Sequence, residues 1–204
     1  MTQWFKGLKL VFFNPISLGY TLASAFIFGS LISYISTAQQ VFQVLYNKGA
    51  QFPIYFGCLA LTVGLASLVN AKFVMTFGMN YLIKRALNTF ASGSILFFIF
   101  SYFRNSPPPF WLLMTFLGTM FFCVGMLFGN FNTLALEPHG KIAGMASAMI
   151  GSVQTFISVA LGGVIGQSYN GTVIPLVGGF MVLGILAYIS VSLAEKTRTI
   201  ITST

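Results

Sequence analysis

Glu137, His139 and Lys141 stand within five positions of one another in the stretch LALEPHGKIAG, and they include the only histidine and one of only two acidic residues in the chain. A carboxylate, an imidazole and an amine this close are the raw material of general acid–base chemistry. The rest of the sequence does not support that chemistry. No second carboxylate lies nearby, no serine or cysteine is spaced to act as a nucleophile with His139, and there is no set of zinc ligands. GLASLVNAK and GKIAGMAS lack the glycine–lysine–hydroxyl spacing of a phosphate loop. The two cysteines, Cys58 and Cys123, sit inside apolar runs and read as small packing residues. An intramembrane enzyme would need a buried His, Asp or Glu, so no enzymatic activity and no cofactor is expected.

The surroundings of these residues give the stretch another meaning. Of 204 residues, 56% are hydrophobic and only 6% are charged. A water-facing domain carries about a quarter charged residues, so this composition belongs in lipid. About 20 apolar residues in a helix cross a bilayer core of about 30 Å. Six such runs are present, at about Leu18–Val41, Phe52–Ala71, Ala86–Phe103, Phe110–Leu134, Ile142–Ser168 and Val173–Leu193. The turn-rich breaks YNKGAQ, RNSPPP, EPHG and YNGT separate them. Asn170-Gly171-Thr172 is formally a glycosylation sequon but reads as the turn itself. The fold class is therefore an all-α membrane protein, a six-transmembrane-helix bundle. Residues 1–17 form an amphipathic leading segment, 18–193 the membrane domain and 194–204 a tail. Asn14-Pro15 interrupts what would be the core of a signal peptide, which favours a retained first span.

The net charge of +8 is spread singly or in pairs between the apolar runs, with no basic face for nucleic acid. Lys6, Lys9, Lys72, Lys84, Arg85, Lys141, Lys196 and Arg198 fall on one side of the predicted bundle, and only Lys48 and Arg104 fall on the other. The positive-inside rule then puts both termini in the cytoplasm. LALEPHGKIAG becomes a solvated cytoplasmic turn between the fourth and fifth spans, broken by Pro138 and turned by Gly140.

No Asp, Glu, Lys, Arg or His lies deep in any span, so no proton carrier is evident. The polarity that does enter the membrane is uncharged. Phe26, Ser30, Ser33, Tyr34 and Thr37 share one face of the first span, followed by Gln39, Gln40 and Gln43. Trp111, Thr115, Thr119, Phe122, Met126 and Asn130 make a similar stripe on the fourth. Such faces suit a cavity for amphipathic solutes. From spacing alone they suit better a helix packing in which each hydroxyl bonds back to its own backbone. Ser147, Gly151, Ser158, Gly162 and Gly166 line one face of the fifth span as a small-residue packing seam, and Gln154 should point inward beside them.

YISTAQQVFQ, FPIYFGCLALTVGLASLVNAKFVMTFGM and NTLALEPHGKIAGMASAMIGSVQ resemble the C-terminal half of a major facilitator superfamily transporter, of the multidrug efflux branch of Bcr/CflA type. The resemblance implies half of a major-facilitator fold in a bacterial cytoplasmic (inner) membrane. It further implies export of small hydrophobic or cationic drug-like solutes by proton antiport, with a second six-helix half, from another chain or another copy, completing the cavity. By the same resemblance the first and fourth spans line that cavity, which brings forward Tyr34, Ser33, Phe122 and Met126, and the third and sixth face lipid. Asn70, Lys72 and Gly78 resemble a degenerate copy of the family's cytoplasmic loop motif, without its acidic residue. The remaining alternative is a six-span protein that does not transport, acting as an assembly partner or a truncated remnant.

Overall fold

A computed structural model describes residues 13–104 and 106–203, with the side chains of 141 and 200–203 left aside. Lys6, Lys9, most of the leading segment and the Lys141 side chain therefore lie outside the described residues. Six long helices follow one another: α1 (Pro15–Gln39), α2 (Phe52–Phe77), α3 (Met79–Phe103), α4 (Phe110–Leu136), α5 (Ala143–Gln167) and α6 (Ile174–Ser203). Each is long and apolar enough to cross a membrane. At about 1.5 Å per residue, even the 25-residue α1 is longer than the about 30 Å hydrocarbon layer is thick.

The helix ends follow local chemistry. Asn14 caps α1, its Oδ1 accepting from the backbone N–H of Ile16 (3.1 Å) and Ser17 (3.0 Å), with Pro15 in the first turn where no N–H is needed. α1 does not stop at Val41 but runs into a π-helical turn, Gln40–Leu45. α2 continues past Ala71 to Phe77, and α3 begins at Met79, so one residue joins them. That residue, Gly78, has φ 78° and ψ 157°, a conformation open essentially to glycine alone. Asn170-Gly171-Thr172 does form a turn: Asn170 Oδ1 accepts from the Thr172 hydroxyl at 2.7 Å, and Thr172 Oγ1 in turn accepts from the Ile174 N–H at 3.2 Å. α6 extends unbroken to Ser203, so the residues after Leu193 continue the last helix.

α5, α1, α4 and α2 pack in that order as one layer, with α6 behind α1 and α3 behind α4. Exchanging α1 with α4, α2 with α5 and α3 with α6 maps the main packing pairs onto one another. Three helices is an odd number, so the second triplet threads the bilayer in the opposite sense to the first. The bundle is thus built from two inverted three-helix repeats. α1, α4 and α6 are about half buried, whereas α2 and α5, the flanks of the layer, are largely uncovered.

Between helices in lipid there is no hydrophobic drive, so close van der Waals contact and hydrogen bonds hold the bundle. Stacked rings join α3, α4 and α6: Phe97 on Phe116 at 4.2 Å, Phe90 on Phe180 at 5.7 Å. α4 meets α2 at Gly125, where a Cβ would stand 2.5 Å from the Val63 carbonyl oxygen. Five residues further along α4, Asn130 and Asn70 exchange amide hydrogen bonds (2.7 and 3.3 Å), and Asn130 also donates to the Met126 carbonyl at 2.9 Å.

Candidate functional site

The hydroxyl stripe of α1 lies inside the bundle. Ser30, Ser33, Tyr34 and Thr37 are all buried, and Phe26 is half-buried. Ser30 donates to the Phe26 carbonyl (3.3 Å), Ser33 to Ser30 (2.7 Å) and Thr37 to Ser33 (2.9 Å). Each hydroxyl is satisfied by its own helix, so these groups offer no free donor to a solute. Of the two uses open to the stripe, packing is the one the geometry displays. Tyr34 is different: its ring packs edge-on against Phe121 (4.8 Å) and stacks near Phe56 (5.8 Å), and its buried Oη has no hydrogen-bond partner.

Tyr34 is the inner member of an aromatic plug at the end of the bundle remote from the termini. Phe42, on the π-helical turn, meets Tyr34, Phe52, Tyr55 and Phe110. Tyr46 closes the plug by donating to the Pro108 carbonyl at 2.7 Å. Burial pushes the Tyr46 hydroxyl up to about 12, against a smaller opposing pull from Arg104, so it remains a donor at any physiological pH.

On α4 the predicted stripe divides. Asn130 is buried in its amide pair with Asn70; Phe122 and Met126 are half-buried; Trp111, Thr115 and Thr119 are exposed. Thr115 and Thr119 bond back to the Trp111 and Thr115 carbonyls, both at 2.9 Å, and open onto a shallow groove of about 380 Å³ against Phe97 and Phe100 of α3. The two stripes therefore do not face one common cavity within this bundle.

Where α1 and α4 do present side chains together at the surface, the residues are aromatic. Phe28 and Phe128 meet at 5.4 Å, with Phe128 39% exposed, and Ile35 lies two turns beyond Phe28 on α1. Sequence reasoning missed this pair because it looked for polarity. In a membrane helix the outward face is apolar and the polar face is the packed one, which reverses the habit learned from soluble helices. The spacing of Phe28, Leu31 and Ile35 carried the signal.

The seam of α5 is present over part of its length. Ser158 donates across to the Ala25 carbonyl of α1 (2.9 Å) and to Gln154 of its own helix (2.6 Å). A Cβ at Gly162 would meet Ile32 at 2.7 Å, and one at Gly166 would meet Ser36 at 2.6 Å. Ser147 is exposed and Gly151 faces open space, so neither joins the seam. At this end α1 comes closest to α6, where a Cβ at Gly19 would meet Ala194 at 2.7 Å and the Ser190 carbonyl oxygen at 3.0 Å. Gln154 points inward at 4% exposure, and its amide makes no hydrogen bond among the described residues.

At the end that carries the termini, the loop motif and the EPHG turn depart from expectation. Asn70 and Lys72 lie on α2 and not in a loop; only Gly78 is a connection. The EPHG turn is a short 3₁₀ segment, Glu137–Ile142, and it is not simply solvated. Glu137 is ion-paired to Arg198 of α6 at 2.9 Å. His139 is 6% exposed and its Nε2 has no partner. Glu137 is thus tied to α6 while His139 is packed inward, and these two do not form an acid–base pair among the described residues. No cluster of metal-ligating side chains occurs among the described residues.

No family model matches the chain, and no solved structure matches it. Two curated proteins do. A bicyclomycin resistance protein homolog of Haemophilus influenzae is 29% identical over 179 residues, covering 84% of this chain and 43% of its own length. An uncharacterized MFS-type transporter of Bacillus subtilis is 26% identical over 176 residues, covering 84% of this chain and 42% of its own length. The chain spans less than half of each relative. Both are named for resistance or transport and neither for catalysis. The resemblance carried by YISTAQQVFQ and NTLALEPHGKIAGMASAMIGSVQ thus has counterparts: this six-helix membrane bundle is similar, over most of its length, to part of a Bcr-type and of an MFS-type membrane protein.

Proposed function

We propose that the chain is the C-terminal six-helix half of a major-facilitator efflux transporter in a bacterial inner membrane, with both termini cytoplasmic. It exports small hydrophobic or cationic solutes in exchange for protons. The observation that carries this reading is the similarity to the two transport and resistance proteins over 84% of the chain. The fold is in keeping with it, because inverted three-helix repeats are the building unit of such halves. The layer α5–α1–α4–α2 would form one wall of the solute path, with Phe28 and Phe128 toward the solute, Phe26, Phe122 and Met126 beside them and Gln154 behind them inside the bundle. Aromatic and methionine side chains accept many shapes, as a multidrug wall requires. The opposite wall, and the acidic group that couples protons, would come from a second six-helix half.

Labelling tests the wall. In a Cys58→Ser background, where the remaining Cys123 is buried at 3% exposure, Phe128→Cys should react with a maleimide, and bicyclomycin should slow that reaction at least threefold. Leu186→Cys, exposed on α6, should be unaffected. Equal protection of both sites, or of neither, would count against the assignment.

The second reading is a six-span protein that does not transport. One observation favours it: among the described residues, no Asp, Glu, Lys, Arg or His lies in the middle of any helix.

A further inference from the structure

Two concavities lie end to end along the seam between α3 and α6. The first, of about 350 Å³, is at the end of the bundle that carries the termini. It is polar, lined by Asn80, Tyr81 and Lys84 of α3 and by Arg198, Thr199 and Glu195 of α6. The second, of about 360 Å³, is lined by Asn88, Ser92 and Ile95 of α3 and by Ile185 and Tyr188 of α6. α3 and α6 run antiparallel, so the two sets are in register. Lys84, Asn88 and Ser92 descend α3 at four-residue steps, about 6 Å each. Ser92 spends its hydroxyl on the Asn88 carbonyl (2.7 Å), which leaves the second concavity largely apolar.

We infer that this seam is a binding groove for one anionic phospholipid of the adjacent leaflet. The phosphate would sit at Lys84 and Asn80, near Arg198, and an acyl chain would lie along Ser92, Ile95 and Ile185. Three features favour a lipid over a free phosphate or a protein. The polar pocket and the apolar trough lie along one seam about two turns apart, in the order of a headgroup and a chain. The trough faces outward from the bundle, on the side where α3 and α6 carry exposed Leu96, Ile185 and Ile189. The charge at the pocket is cationic: Lys84 and Arg198 line it and Arg85 lies over the ring of lining Tyr81 at 5.4 Å, against Glu195, also in the lining, and Glu137, which Arg198 already holds. Basic pockets between spans at the membrane surface attract anionic headgroups, at about 1 kcal/mol per basic residue. The aromatic run Phe73, Phe77 and Tyr81, with ring contacts at 5.7 and 5.5 Å, sits at the same level, as interfacial rings do.

Native mass spectrometry of the full chain in detergent, with dioleoyl phosphatidylglycerol or dioleoyl phosphatidylcholine added, tests the groove. The wild type should bind the first lipid at least fivefold more tightly. Lys84→Gln should weaken it about fivefold, the factor that about 1 kcal/mol corresponds to. Ser92→Trp, a change on an exposed face, should fill the trough and abolish the preference. Helical circular dichroism confirms that each variant is folded. Equal binding of the two lipids by the wild type would overturn the inference, as would wild-type binding by either variant. Displacement by glycerol phosphate at lipid-equivalent concentration would also overturn it, because the trough would then contribute nothing.

Discussion

Gly162 and Gly151 look alike in the sequence and differ in the fold. Both are glycines on the small-residue face of α5, but only Gly162 is pressed against α1, where a Cβ would also stand 2.8 Å from the Gly29 carbonyl oxygen. Gly162→Leu should therefore lower the thermal unfolding midpoint of the detergent-solubilised protein, by a loss equivalent to about 1–3 kcal/mol of overpacking. Gly151→Ala should leave it unchanged. Equal effects would mean that the α1–α5 contact is not the one described. The same contrast shows what single residues reveal in sequence. Helical spacing identifies a face but not how much of it is covered, because coverage depends on how two helices cross. His139 illustrates the limit in the other direction. A lone imidazole in a Pro-Gly turn reads as solvated, yet this one, on the 3₁₀ turn between α4 and α5, is buried.

At the scale of elements, the six spans were legible from apolar length alone, while their ends were not. α2 and α3 both outrun their hydrophobic windows by a turn or more, and the basic residues between them ride on helices. Hydropathy marks where lipid is; backbone hydrogen bonding carries a helix on into the interface. What stops α2 is Gly78. With φ 78° and ψ 157° it makes the whole reversal between two long helices. Gly78→Ala should cost about 1–3 kcal/mol of strain and lower the unfolding midpoint. An unchanged midpoint would show that the connection can adopt another conformation at no cost. The polar stripe of α1 was also legible as a stripe. Its use was not, since the same spacing serves a cavity and a packed, back-bonded interior, and only contacts between elements separate the two.

The whole molecule combines a packed pair, α1 and α4, with two flanks, α2 and α5, that the bundle leaves uncovered. In lipid an uncovered apolar flank is stable by itself, so exposure there does not demand a partner. In the function proposed above, the flanks would be the surfaces on which a second half rocks. The charge asymmetry visible in the sequence has a physical counterpart: Lys72, Lys84, Arg85, Lys196 and Arg198 gather at one end, with Lys48 and Arg104 at the other. One measurement reaches the central claim most directly: bicyclomycin accumulation in cells that express this chain together with the first six-helix half of a Bcr-type transporter. The account predicts that accumulation falls at least severalfold relative to cells with either half alone, and that Phe128→Ala restores most of it. Unchanged accumulation, with both halves shown to be inserted and associated, would contradict it.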